Sequence, residues 1–160
     1  MKSIKVKDVM SAYPVMVKPT QTVMEAALLM KENNCSILPV GEPLHVIGVI
    51  TDRDIIVRIT AMSKDADKVP VKDVMSRKFV VCNEDDAIQR AEDLMRENYI
   101  NRIMVSDSGA VTGIVTMTDL LHDRSIRYKG DTLLNRLLDW ITKKYAVNQA
   151  DTETEYQVYG

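Results

Sequence analysis

The sequence lacks the patterns that form metal sites, disulfide frameworks or membrane spans. Among its 160 residues are two cysteines, Cys35 and Cys82, whose positions match neither a metal-ligand spacing nor a disulfide framework. No apolar run is long enough for a membrane-spanning helix, and the first residues show no signal-peptide pattern. We therefore expect a reduced, cytoplasmic protein that has no metal site and no membrane partner.

The sequence also lacks a strong charge of either sign and a recognisable catalytic motif. Its formal net charge is −2 and it has no long basic run, which argues against nucleic acid as the main ligand. The two histidines, His45 and His122, lie far apart, and no nucleophile is near a base in a known arrangement. We therefore expect no catalytic residues and no enzymatic activity.

The most informative feature that is present is an internal repeat with a constant offset of 65 residues. The hexapeptide Val-Lys-Asp-Val-Met-Ser occurs at residues 6–11 and again at residues 71–76. The stretch 48–55 returns at 113–120, and both copies place an apolar run after a glycine, then a threonine, then an aspartate three residues later. One ungapped offset implies two copies of one supersecondary unit, and because each unit is small we expect the two to pack together.

The periodicity of the repeat predicts an α/β fold. Each unit is predicted to contain a strand, a helix, two strands and a second helix, with the first strand of the first unit at residues 15–17. A capping-box pattern at Thr22 and Glu25 predicts the start of the first helix, and the second is expected from about Asp52 to Thr60. We assign residues 1–65 to the first repeat and residues 66–124 to the second.

Two further segments follow the repeats. Residues 125–150 are predicted to be a helical extension, because an apolar stripe there follows helical spacing and includes Leu134, Leu137, Leu138 and Ile141. Such a stripe often marks an interface, so we expect a homodimer to which it contributes, with docking onto its own repeats as the alternative. The acidic and polar residues 151–160 are predicted to be a disordered tail.

The repeated threonine and aspartate have two interpretations. In each copy they follow a predicted strand and begin a predicted helix, so their side chains can cap the free N–H groups of that helix. The same turn can hold a ribose or a phosphate, since helix N-termini bind anions. One copy alone favours capping, and the occurrence of two matched copies gives more weight to ligand binding.

The chain resembles a known family over roughly residues 4–123. Three motifs of each unit are similar to those of paired cystathionine-β-synthase (CBS) motifs. They are Asp-Val-Met near the start, Leu-Pro-Val or Met-Val in the middle and Gly-h-h-Thr-x-x-Asp at the end, where h is an apolar residue and x any residue. The resemblance implies that the two repeats pack through their sheets, with pseudo-two-fold symmetry, into a disc called a Bateman module. It also implies two clefts that bind adenine nucleotides, in which the aspartate bonds the ribose hydroxyls and the threonine lies near the phosphate.

The family's arrangement implies that each cleft is formed by both repeats. The first cleft would be formed by Thr51, Arg53, Asp54, Met75, Phe79, Val80, Asn101 and Arg102. The second cleft would be formed by Met10, Pro14, Val15, Ser36, Ile37, Thr116, Thr118 and Asp119. Arg53 can instead point to solvent, and Thr118 can instead cap its helix.

Arg102 distinguishes the two clefts. It matches a position where nucleotide-binding relatives, such as the regulatory subunit of the AMP-activated kinase, carry a phosphate-contacting arginine, whereas its equivalent in the first repeat is Ile37. Because an arginine fork suits phosphate oxygens, the first cleft is expected to be the better phosphate site. Asp54 is then expected to contribute more to ligand affinity than Asp119. The alternative is that Arg102 pairs with a surface acid such as Asp107.

The expected function is regulatory. The leading interpretation is a stand-alone sensor that signals to an unknown effector protein by a change of conformation. Its expected ligand is an adenosine nucleotide, AMP, ADP or ATP, with NAD and S-adenosylmethionine as less favoured alternatives, and it acts as a regulator rather than a cofactor. The alternative interpretation is a protein–protein interaction module that has vestigial clefts and works through its dimer surface.

Overall fold

The computed structural model describes residues 4–122. The first repeat contains strand β1 (Ser11–Ala12), helix α1 (Val23–Glu32), strands β2 (Ile37–Glu42) and β3 (His45–Thr51), and helix α2 (Asp52–Ile55). The second repeat contains strand β4 (Val81–Asn83), helix α3 (Ile88–Glu97), strands β5 (Arg102–Asp107) and β6 (Ala110–Thr116), and helix α4 (Met117–His122). The predicted α/β fold of two repeats is confirmed, whereas the predicted helical extension, its apolar stripe and the predicted tail lie outside the described residues.

Two predicted elements of the first repeat differ from the structure. The strand predicted at residues 15–17 is reduced to one parallel bridge between Val17 and Val40. The helix predicted from Asp52 to Thr60 is regular only as far as Ile55 and continues as a wider π-helical turn over Ile56–Thr60. This turn is rich in β-branched residues, which crowd the preceding turn of a regular α-helix.

The six strands form two sheets. One has four strands in the order β1-β6-β5-β4, and the other is the antiparallel hairpin of β2 and β3. Both hairpins contain a register shift, between Val40 and Gly41 in the first repeat and between Val105 and Ser106 in the second. Gly41 has a φ of 123°, and a Cβ there would lie 2.3 Å from the carbonyl oxygen of His45, so this bulge requires glycine.

Each hydrophobic core contains side chains from both repeats. Val71 and Val74, from the second hexapeptide, pack into the core of the first repeat, and Val6, from the first hexapeptide, packs into the core of the second. The backbone N–H of Val6 donates to Asp86 O over 2.9 Å, and the N–H of Val71 donates to Gln21 O over 2.8 Å. We call residues 4–11 and the equivalent residues 69–76 the entry segments of the two repeats. Each entry segment packs into the core of the other repeat, so neither core is complete without the other repeat.

A third cluster of buried side chains joins the two sheets. It contains one residue from each of four strands: Ile37 of β2, Val49 of β3, Met104 of β5 and Ile114 of β6. Since β2 and β3 belong to one sheet and β5 and β6 to the other, the cluster buries apolar area from both repeats against each other. Strands β3 and β6 end at Thr51 and Thr116, where the two repeated strand–helix turns begin, and the candidate site is built at these turns.

Candidate functional site

The repeated Thr–Asp turns have the same geometry in both repeats. In the first, Asp54 Oδ2 accepts hydrogen bonds from the backbone N–H of Thr51 at 2.9 Å and from its hydroxyl at 2.7 Å. In the second, Asp119 Oδ2 accepts the same two bonds from Thr116 at 2.8 and 2.7 Å. Each threonine oxygen in turn accepts from the aspartate N–H. The capping interpretation is therefore confirmed, but it uses only one oxygen of each carboxylate.

The second oxygen of Asp54 is also engaged. The hydroxyl of Ser76 donates to Asp54 Oδ1 over 3.2 Å, and Arg58 Nη1 forms an ion pair with it at 3.3 Å. The same guanidinium donates to the carbonyl oxygen of Val74 and, through Nη2, to the Ser76 hydroxyl. Asp54 is 9% exposed, so its carboxylate is a nearly buried link between the helix of one repeat and the entry segment of the other.

The second oxygen of Asp119 has a different environment. Among residues 4–122, no side chain or backbone group donates a hydrogen bond to Asp119 Oδ1, and the residue is half-buried. The position equivalent to Arg58 in the second repeat is Asp123, which cannot form the same ion pair with a carboxylate. The two turns are therefore identical in their caps and differ in whether the aspartate retains a free acceptor.

The two turns border two cavities. The first, about 430 Å³ in volume, is lined by seven of the residues predicted for the first cleft: Thr51, Arg53, Asp54, Phe79, Val80, Asn101 and Arg102. The second, about 660 Å³, is lined by seven of the residues predicted for the second cleft: Pro14, Val15, Ser36, Ile37, Thr116, Thr118 and Asp119. Each cavity thus combines the Thr–Asp turn of one repeat with residues of the other.

The cavities adjoin at a shared wall. Ile37, Asn101 and Arg102 line both, although Ile37 was predicted for the second cleft alone and Asn101 and Arg102 for the first alone. Arg102 is one-third exposed, and its Nη1 lies 3.8 Å from Asp52 Oδ1 in the first cavity. The carboxylate that it faces is therefore Asp52 and not Asp107, because Asp107 is at the far end of β5.

Two methionines predicted to line the clefts lie elsewhere. Met75 packs in the core of the first repeat and Met10 against the core of the second, and neither lines its cavity. A Cβ added at Gly48 would lie 2.9 Å from the Sδ of Met75, and one at Gly113 would lie 2.4 Å from the Sδ of Met10. Each methionine therefore occupies the space left by the repeated glycine of the opposite repeat.

Several residues that line the cavities were not predicted, and two of them, Tyr13 and Lys78, are at equivalent positions of the two repeats. Tyr13 lines the second cavity, is 91% exposed and has a φ of 55°, and its equivalent Lys78 lines the first cavity. They immediately precede the predicted residues Pro14 and Phe79. Adjacency was the one available signal, because neither residue belongs to a repeated motif.

Both thiols of the chain have raised pKa values. Burial raises the pKa of the Cys35 thiol, which lines the second cavity, and raises the pKa of Cys82, in the second core, to about 11. Thiols with raised pKa values are poor nucleophiles at neutral pH. Between residues 4 and 122, no group of three His, Cys, Asp or Glu side chains is arranged to bind a metal ion, and no helix has the length and apolar character to cross a membrane.

The chain is similar in sequence and in structure to proteins of one family. The CBS domain model matches residues 6–61 and 71–125. The CBS domain-containing protein YhcV of Bacillus subtilis (strain 168) is 38% identical over 131 residues, which are 81% of this chain and 93% of that protein. The crystal structure of an uncharacterized conserved protein from Pyrococcus horikoshii is similar with a TM-score of 0.68 and 30% identity, covering 81% of this chain and 97% of that chain.

A further similar structure is a complex with two ligands. It is the CBS domain pair of protein MJ0100 in complex with 5-methylthioadenosine and S-adenosyl-L-methionine. Its TM-score to this chain is 0.66 at 28% identity, and the match covers 75% of this chain and 94% of that chain. Both of its ligands contain an adenosine moiety.

Proposed function

Because the chain belongs to the CBS domain family and carries two CBS repeats, we propose that it is a regulatory protein that binds an adenosine-containing ligand between them. The observation that carries this proposal is the pair of cavities, each bordered by the Thr–Asp turn of one repeat and by residues of the other. Their volumes, about 430 and 660 Å³, lie in the usual range of small-molecule sites. The adenosine-containing ligands of the similar MJ0100 pair support the ligand class.

The position of the cavities suggests how binding is signalled. A ligand in either cavity contacts both repeats, so it favours the arrangement of the repeats that fits it best and shifts the population toward that arrangement. We propose that an effector protein responds to this change and that no bond is made or broken in the ligand. AMP, ADP and ATP are the proposed ligands, because Arg102 at the shared wall can contact a phosphate.

We also propose that the protein acts as a homodimer in the cytoplasm. Ile56, Val57 and Met62 follow α2 closely and are 60%, 51% and 63% exposed. Contiguous patches of exposed apolar side chains are typical of an interface, and we propose that these three residues contribute to one. Light scattering at increasing concentration tests this proposal, and a mass that remains monomeric at high concentration would contradict it.

Ligand-induced stabilisation tests the proposed function. Thermal unfolding would be measured with AMP, ADP, ATP, NAD, S-adenosylmethionine and adenosine, with GTP and CTP as controls for the base. A ligand present at 100 times its Kd should add about 2.7 kcal/mol to the free energy of unfolding. If no adenosine compound raises the melting temperature, the sensor proposal is wrong and the interaction module with vestigial clefts is favoured.

A further inference from the structure

The two cavities differ in charge. The first is lined by three cationic and two acidic side chains: Arg53, Lys78, Arg102, Asp52 and Asp54. In the second, the charged lining residues are Arg102 and Asp119. At the positions equivalent to Arg53 and Lys78, the second cavity has Thr118 and Tyr13. The repeat thus preserves the shape of the clefts and changes the charge at two matched positions.

The additional cations of the first cavity are not neutralised by the protein. Within residues 4–122, neither Arg53 nor Lys78 forms an ion pair, and both side chains are exposed. Asp54 is instead paired with Arg58, a residue that does not line the cavity. The first cavity therefore has an excess of positive charge that favours a ligand with several negative charges, such as a polyphosphate group.

Recognition of a ribose depends on a different feature, namely an available acceptor for the sugar hydroxyls, such as a carboxylate oxygen. Asp119 Oδ1 has no donor among the described residues, so it can accept such a bond without losing an existing contact. Asp54 Oδ1 already accepts a hydrogen bond from Ser76 and forms an ion pair with Arg58. A ribose hydroxyl would have to compete with these two donors for an oxygen of a carboxylate that is nearly buried, which is unfavourable.

We propose that the two clefts bind different chemical classes. The second cleft binds the nucleoside part of the ligand through Asp119 and does not require a phosphate. The first cleft binds a polyphosphate group through Arg53 and Lys78 and does not require a ribose at Asp54. This proposal rests on the proposed function for the second cleft, and it reverses the expectation that Asp54 contributes more than Asp119 to nucleoside affinity.

Two simple probes separate the classes. Calorimetry would measure the affinity of the full chain for adenosine and for inorganic tripolyphosphate, with ATP as the probe that carries both groups. Asp119→Asn should lower the affinity for adenosine by about tenfold or more, since a bond to a charged acceptor is lost, and should leave the affinity for tripolyphosphate unchanged. Asp54→Asn should leave the affinity for adenosine within about twofold of the wild-type value.

The charged cleft is tested by exchanging residues between equivalent positions. The double variant Arg53→Thr with Lys78→Tyr should lower the affinity for tripolyphosphate by about tenfold at low salt, because two exposed charges are removed. It should leave the affinity for adenosine unchanged. Arg77→Ala is the matched control, since Arg77 is exposed, adjacent to Lys78 and not part of the cavity lining. It should change tripolyphosphate affinity by less than about twofold.

A gain of binding provides a test that does not depend on a loss of folding. Tyr13→Lys with Thr118→Arg gives the second cleft the two cations of the first, at positions that are both exposed. This variant should bind a second equivalent of tripolyphosphate. A variant that still binds one equivalent would contradict the role assigned to these two positions.

The outcomes separate this inference from the proposed function. If the wild-type chain binds no adenosine compound, both fail. If it binds adenosine but Asp54→Asn weakens that binding as much as Asp119→Asn, the division between clefts is wrong and the sensor proposal stands. If Arg77→Ala weakens tripolyphosphate as much as the double variant, the polyphosphate is held by general surface charge and the first cleft is not its site. If ATP binds and tripolyphosphate does not, the first cleft requires the nucleoside, which also overturns the inference.

Discussion

The two Thr–Asp turns have the same local geometry and different surroundings. Both aspartates cap a helix with bonds of 2.7–2.9 Å to the preceding threonine. Asp54 then makes two further contacts, with Ser76 and Arg58, whereas Asp119 makes none among the described residues. A repeated motif therefore preserves the turn, and residues outside the motif decide whether its carboxylate holds the repeats together or is left for a ligand.

The glycines before the two turns show the same kind of difference and give the largest expected effect. A Cβ at Gly48 would lie 2.8 Å from the backbone oxygen of Ser76, which the N–H of Val49 holds at 2.9 Å. At Gly113 the nearest atom is the flexible Sδ of Met10, and the nearest backbone oxygen, of Ser11, is 3.1 Å away. The first site is bounded by a fixed strand contact and the second by a side chain that can move.

Gly48→Ala should therefore destabilise the protein more than Gly113→Ala. We expect a loss of about 3 kcal/mol at Gly48 and about 1 kcal/mol at Gly113, because overpacking against a fixed backbone atom cannot be relieved by a rotamer change. Urea denaturation of the two variants measures the difference. Equal losses would show that the backbone at residue 76 moves as easily as the Met10 side chain.

The second prediction concerns the two aspartates and the stability of the fold. Asp54→Ala should cost about 2 kcal/mol, because it removes a cap and leaves Ser76 and Arg58 without their acceptor. Asp119→Ala should cost about 1 kcal/mol, because it removes the cap alone. Urea denaturation without ligand decides between them, and Arg58→Ala should account for part of the Asp54 loss. A larger loss at Asp119 would contradict the structural role assigned to Asp54.

The contrast also shows which features could be predicted from the sequence. The constant offset predicts most elements of both repeats, because local patterns determine where helices and strands begin, but the strand expected at residues 15–17 is only a single bridge. The capping box is an example: Thr22 accepts from the N–H of Glu25 at 3.1 Å, and Glu25 accepts from the N–H of Thr22 at 2.7 Å. Fourteen cavity residues were placed from the resemblance, because its motifs lie at the turns that border the cavities.

The features that could not be predicted are contacts between the repeats. The bond from Arg58 to the carbonyl oxygen of Val74 involves a residue that is not repeated, so no pattern marks it. The packing of Met10 and Met75 against the opposite glycines depends on the relative position of the sheets, which hydrophobic periodicity does not specify. Repetition predicts what the two units share, and the availability of each carboxylate depends on what they do not share.

The entry segments provide the final comparison between the repeats. Lys5 Nζ and Lys7 Nζ of the first entry segment lie 2.7 and 2.8 Å from Asp85 Oδ1 of the second repeat. The equivalent of Asp85 in the first repeat is Thr20, so the second entry segment is held there by backbone bonds without this pair of ionic contacts. Hydrogen bonds from Lys5 and then Lys7 lower the pKa of Asp85 from 3.8 to about 2.

Asp85→Asn should therefore have a small effect that depends on pH. A carboxyl whose folded pKa is lowered stabilises the protein above its unfolded pKa, and this contribution disappears between about pH 4 and pH 2 as Asp85 is protonated. The melting temperature of Asp85→Asn should be below that of the wild type at pH 5, and the gap should close toward pH 2. The double variant Lys5→Gln with Lys7→Gln should abolish the stability that Asp85 loses between about pH 4 and pH 2, because it removes both cations. A gap that stays constant from pH 5 to pH 2 would show that the ionic contacts do not hold the first entry segment.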